Sequence, residues 1–144
     1  MKLYALALAA IVAVAVPAVA LSSMHPDLTA KLAPKNENPK GPAGASGFVN
    51  LHLKADAKKV CWEFHITGLK GANAAHIHKG KAGVSGPVIV PLGATYKAKG
   101  CIAAPKATIQ KIEANPNAYY VNVHTAKFPA GAIRGQLVVG MTTM

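Results

Sequence analysis

The sequence predicts an all-β fold, an antiparallel sandwich or barrel, and three observations lead there. Apolar and polar residues alternate with period two through short runs along most of the chain, as in strands with one face buried. Glycine and proline, 13 and 10 of them in 144 residues, punctuate those runs where turns need them. One stretch, Ala107 to Ala114, reads as helical, and Asn115-Pro116 ends it. The length suits a single domain, and neither an internal repeat nor a second domain is evident.

Taken in order, residues 1–20 differ in kind from the rest. Lys2 precedes an Ala/Val/Leu run through Val16, then Pro17 and the small-residue triplet Ala18-Val19-Ala20. That is the plan of a secretory signal peptide, with cleavage expected after Ala20. Residues 21–26 form an N-terminal segment, 27–140 the domain, and 141–144 a C-terminal tail. Within the domain, Leu28-Thr29-Ala30-Lys31-Leu32 is a short alternating strand, followed by a Pro/Asn/Lys/Gly loop from Ala33 to Gly47. Val49, Leu51 and Leu53 alternate with Asn50, His52 and Lys54; Trp62, Phe64 and Ile66 alternate with Cys61, Glu63 and His65. Ala75 and Ile77 oppose His76 and His78, and Val88-Ile89-Val90 is a brief apolar run. Tyr119, Val121 and Val123 oppose Tyr120, Asn122 and His124; Ile133, Gly135, Leu137 and Val139 close the series as one run.

Export makes the two cysteines legible. In an oxidising compartment, Cys61 and Cys101 are expected to form a disulfide. Closing a loop of about 40 residues stabilises the fold by about 4 kcal/mol on the chain-entropy model. The charge balance is basic: Lys+Arg 16 against Asp+Glu 5 gives +11. Such a field favours anionic partners. Nucleic acid is not expected, because all the basic residues but Arg134 are scattered lysines and no aromatic platform accompanies them. After signal cleavage no stable membrane insertion is expected either. Paired-carboxylate, nucleophile-elbow and phosphate-loop patterns are missing from the sequence.

The histidines carry the chemistry. Side chains at i and i+2 share one face of a strand, so His76 and His78 converge on one point. His124 lies on a second alternating run. Three imidazoles projecting from paired strands suit copper or zinc, making His76, His78 and His124 the candidate metal ligands. The competing reading is a structural polar cluster, with His76 and His78 bonded to carbonyls, Asn122 or Gln136. His52 and His65, on outward-facing positions, are secondary candidates to join the set.

The segments LTAKLAPKNENPKGPAGASGFVNLHL, HITGLKGANAAHIHKGKAGVSGPVIVPL and YYVNVHTAKFPAGAIRGQL closely resemble the chordin-type (CHRD) domain across about Asp27 to Val139. The family occurs in secreted microbial proteins and within the animal morphogen antagonist chordin, so the resemblance implies an exported β-sandwich. GLKGANAAHIHKGKAGVSGPVIVPL is also distantly similar to the copper-loop region of copper/zinc superoxide dismutases. That likeness implies a Greek-key, superoxide-dismutase-like sandwich or barrel. On it, His76 and His78 match the H-x-H copper ligands, His124 a late-strand ligand, and Arg134 an anion-steering arginine. Val88 stands where those enzymes place the bridging histidine, and the zinc-loop ligands have no counterparts. The expected function is a secreted or periplasmic, non-enzymatic binding module carrying a copper or zinc site, its partner an anionic surface or a protein. A copper-dependent dismutase-like oxidoreductase and a structural envelope protein are the alternatives.

Overall fold

A computed structural model describes residues 27–140. The expected signal peptide at residues 1–20, residues 21–26 with His25, and residues 141–144 lie outside the described residues. The chain runs β1 (Asp27–Leu32), β2 (Ser46–Lys54), β3 (Lys59–Thr67), β4 (Ala72–Lys79), β5 (Val88–Pro91), β6 (Lys99–Ala103), α1 (Lys106–Ala114), β7 (Tyr119–Thr125), β8 (Phe128–Gln136) and β9 (Val138–Val139). Two antiparallel sheets result, ordered β6-β3-β2-β1-β9 and β5-β4-β7-β8. The all-β sandwich expected from period two is the fold observed. Among the described residues no helix is long and apolar enough to cross a membrane.

The core lies between the sheets and is built from one face of each alternating run. Val49, Leu51 and Leu53 of β2 meet Ala75 and Ile77 of β4 and Val121 and Val123 of β7 in one buried cluster. Helix α1 adds Ile109 and Ile112, three apart on one face and both fully buried. An isolated bridge between Ala33 and Arg134 ties the end of β1 to β8 along one side of the sandwich. Cys61 and Cys101 stand directly opposite each other in the β3–β6 ladder and are joined in a disulfide, as expected.

Three local expectations need correction. Strand β6 was not anticipated, because Lys99-Gly100-Cys101-Ile102-Ala103 has little alternation; Gly100 is there so that the Trp62 ring can pack on bare backbone, a Cβ falling 2.6 Å from it. The run from Ile133 to Val139 is not one strand. It breaks at buried Leu137, and Val138 and Val139 leave the smaller sheet to pair with β1 in the larger one. The loop expected through Gly47 stops sooner, since Ser46 and Gly47 already pair with β3.

Candidate metal centre

Strand β4 sits inside its sheet, between β5 and β7. Ala75 and Ile77 point into the core, so the pleat sends His76 and His78 to the opposite face. Strand β7 does the same, with Val121 and Val123 inward and Tyr120, Asn122 and His124 outward. His76 is paired with Asn122, His78 with Tyr120, and Ala74 with His124, which puts His124 diagonal to His76 across the ladder. Diagonal neighbours of this kind are within reach of ring side chains.

The three imidazoles do meet. Their ligand atoms all lie within 4.8 Å of one another. His76 Nδ1–H donates to the His124 Nε2 lone pair over 3.0 Å, and that separation also falls within the range of about 2.8–3.4 Å that two nitrogens show when each is about 2.0 Å from one ion. Bringing His78 into the same shell requires closing a gap of up to 4.8 Å by about 1.4–2 Å.

Backbone carbonyls set the tautomers. His78 Nδ1–H donates to the Gly86 carbonyl over 2.8 Å, which leaves Nε2 a lone pair; that atom is buried without a hydrogen-bond partner. The contact depends on glycine, because a Cβ at Gly86 would lie 1.7 Å from the Lys79 carbonyl oxygen. His124 Nδ1–H donates to the Pro129 carbonyl over 2.9 Å, so its Nε2 also carries a lone pair in the neutral ring. Asn122 Oδ1 lies 2.9 Å from that Nε2. Two acceptors do not bond, so Asn122 meets the neutral ring through its amide group after a half-turn. Outer partners that fix the ring while freeing the other nitrogen are the usual setting of a metal-ligating histidine.

The electrostatics keep His76 and His124 neutral. Burial pulls His76 down to about 4, helped by the neighbouring His124 and His78. Burial also lowers His124, against the pull of the Pro129 carbonyl, which favours the protonated ring. Neutral imidazole is the metal-binding form.

Arg134 reaches this cluster through a stack. Its guanidinium lies over the Tyr120 ring at 4.8 Å, and Tyr120 stacks on His78 at 4.9 Å with planes 7° apart. Arg134 is itself buried, donates from Nε to the Asn36 carbonyl and from Nη1 to the Val84 carbonyl, and has Glu37 3.5 Å away. Burial raises the Glu37 carboxyl to about 7 while the Arg134 charge pulls the other way.

The other expected participants sit elsewhere. His52 and His65 are on the outer face of the larger sheet, where His65 stacks on Phe48 at 4.6 Å and lies 3.8 Å from Glu63; neither joins the cluster. Gln136 donates to the Gly80 and Asn117 carbonyls rather than to a histidine. Val88 is paired with His78 and half exposed, so an apolar side chain flanks that ring. Sequence reading missed Glu37 and Tyr120. No local signal marks Glu37, whose place shows only in space, where its carboxylate occupies the volume a side chain at Gly131 would need.

Comparison with known proteins gives one positive result. The family model described as the CHRD domain matches residues 28–137. None of the curated proteins and none of the solved structures compared matches the chain. The match runs from β1 through β8 and includes all three histidines, and it shows that the chain belongs to the CHRD-domain family.

Proposed function

We propose, taking membership of the CHRD-domain family as the premise, that this protein is an exported binding module that takes up one copper or zinc ion through His76, His78 and His124. The observation that carries the reading is the orphaned His78 Nε2. It is a buried lone pair, held in place by the Gly86 carbonyl, beside two further ring nitrogens that are 3.0 Å apart. A buried acceptor left unsatisfied costs about 1–3 kcal/mol, and a cation among the three rings would offset that cost.

His78 and His124 are pre-oriented by carbonyls, and His76 closes the set. Tyr120 and Arg134 brace His78 from behind. When bound, copper would supply a Lewis-acidic, redox-capable centre and zinc a Lewis-acidic one. Copper(II) stands highest in the divalent affinity order and is the ion expected to bind most tightly. The reading stops at binding because Val88, next to His78, offers no nitrogen where a dismutase carries its bridging imidazole. A secreted or periplasmic location is supported by the signal-like first twenty residues and by the disulfide. With a positive net charge, the partner met there is an anionic surface or a protein with an acidic face.

Calorimetric titration of the purified mature protein with Cu(II) and Zn(II), backed by metal analysis, tests this. One ion per chain is expected. Changing His76 and His78 together to Ala should abolish uptake with the β-sheet circular dichroism unchanged; uptake that persists sinks the site. Superoxide turnover by the copper-loaded protein would favour the oxidoreductase reading, for which the His triad is the supporting observation. Failure to bind either ion would leave a structural role for the cluster.

A further inference from the structure

A second feature on the same side of the molecule shares Arg134 with the stack behind His78 but lies outside the core and away from the three ring nitrogens. A cleft of about 480 Å³ opens between the turn carrying Lys35 to Asn38, the β4–β5 loop at Ala82 and Gly83, and the β8 residues Arg134 to Gln136. That volume is in the range of small-molecule sites. Two of its lining side chains are charged and more than nine-tenths buried, Arg134 and Glu37. Each keeps one polar atom without a partner, Arg134 Nη2 and Glu37 Oε1. Native structures seldom leave two such atoms unsatisfied in one place, and each demands an explanation.

The pair defines the chemistry of what would satisfy it. Arg134 Nη2 is a donor and needs an acceptor; above its pKa of about 7 the Glu37 carboxylate oxygen is an acceptor and needs a donor. Adjacent hydroxyls of one sugar ring offer both, one accepting from the guanidinium while its neighbour donates to the carboxylate. A free anion suits the cleft less well, since the Arg134 charge is already met by Glu37 at 3.5 Å. The rim adds the side chains of Asn36 and Asn38, whose amides bond hydroxyls in either sense. We propose that this cleft is a saccharide-binding subsite in which Arg134 and Glu37 together hold a vicinal diol. The inference is independent of the metal reading, because neither residue is an ion ligand.

The test is a titration of the isotopically labelled full domain, run at about pH 8 so that Glu37 is ionised and followed by NMR, with the methyl glycosides of glucose, galactose and mannose, and with acetate as the anion control. At least one glycoside should shift the Gly83, Gly135 and Gln136 signals saturably, and acetate should not. Glu37→Gln, which keeps the shape and removes the charged acceptor, should weaken binding about ten- to hundredfold. Should that variant fold poorly, Ala82→Trp supplies the answer, because it plugs the cleft from an exposed loop position without touching the buried pair. It should abolish the shifts while copper uptake stays unchanged. No saturable shift with any of the glycosides, equal affinity in Ala82→Trp, or acetate moving the same signals would each overturn the proposal.

Discussion

The outer faces of the two sheets are written in the same period-two code and become opposite environments. On the larger sheet, His52 and His65 are exposed, Asn50 and Glu63 are half-buried, and Lys99 reaches Glu63 over 3.4 Å in open solvent. On the smaller sheet, His78, Tyr120, Asn122 and Arg134 are buried, although they too point away from the core. What separates them is cover. The turn at Asn36 and Glu37 and the loop from Gly80 to Pro87 fold over β4, β7 and β8, and their carbonyls at Asn36, Val84 and Gly86 take the donors below. A polar residue under such a cover must find a partner, whereas one on the bare sheet has water. The comparison teaches that alternation tells which face a residue takes, while loops decide whether that face becomes a site.

The largest expected effect breaks the ion pair on the covered face. Above the Glu37 pKa of about 7, Glu37→Leu leaves the Arg134 charge buried and uncompensated, a loss of about 3–5 kcal/mol. The matched change on the bare face, Glu63→Gln beside Lys99, should cost less than about 1 kcal/mol. Urea unfolding of both variants gives the ratio directly. Equal costs would mean the cover does not desolvate its pair.

Metal affinity should split in the same way. His78→Ala removes the orphaned lone pair and should weaken copper binding more than about a hundredfold, whereas His65→Ala should leave it unchanged. Asn122→Leu removes an amide that competes with the ion for the His124 Nε2 lone pair, so copper binding should not weaken. Calorimetry on the three variants ranks them, and a His65 effect as large as that of His78 would move the site to the other sheet.

A smaller effect follows from pH. The folded pKa of His76, about 4, lies below its unfolded value near 6.5, so it contributes stability that is present above about 6.5 and lost as pH falls toward 4. Glu37 has the opposite sign. Its folded pKa of about 7 lies above the unfolded 4.5, so its contribution is present below 4.5 and lost as pH rises through 7. Over the shared window the two oppose, and the wild-type curve should be flatter than either contribution alone. In Glu37→Gln the stability measured by urea unfolding should rise more steeply with pH from 4.5 to 7. An unchanged slope would show that Glu37 titrates normally.

These contrasts also mark how far the sequence could be read. Strands β2, β3, β4 and β7 and helix α1 were legible because each buries one periodic face and pattern alone specifies that. The disulfide was legible from compartment chemistry. His76 and His78 were legible as a pair, and His124 as a third, since each sits on an alternating run. Their meeting depends on register, with His76 opposite Asn122 rather than His124, and no local pattern encodes register between strands more than forty residues apart. Glu37 was illegible for the same reason. Its neighbour Asn36 bonds Arg134 across a separation of 98 residues, and the loop that carries both reads as ordinary Pro/Asn/Lys linker. Strand β6 was hidden because it is specified by its partner, through the Cys61–Cys101 pairing and the Trp62 ring over Gly100, and not by its own alternation.

The smallest expected effect probes the bare face alone. Phe48 and His65 are directly paired across β2 and β3 and their rings stack at 4.6 Å with planes 16° apart. Cross-strand pairs of this kind contribute about 0.2–1 kcal/mol, and with Phe48 43% exposed little burial is lost on truncation. Phe48→Ala should therefore lower stability by less than about 1 kcal/mol and leave metal uptake as it was. A drop comparable to that of Glu37→Leu would show that the larger sheet's outer face is covered in solution, by a partner or a second copy. The distinction between the two faces would then belong to the isolated chain and not to the working protein.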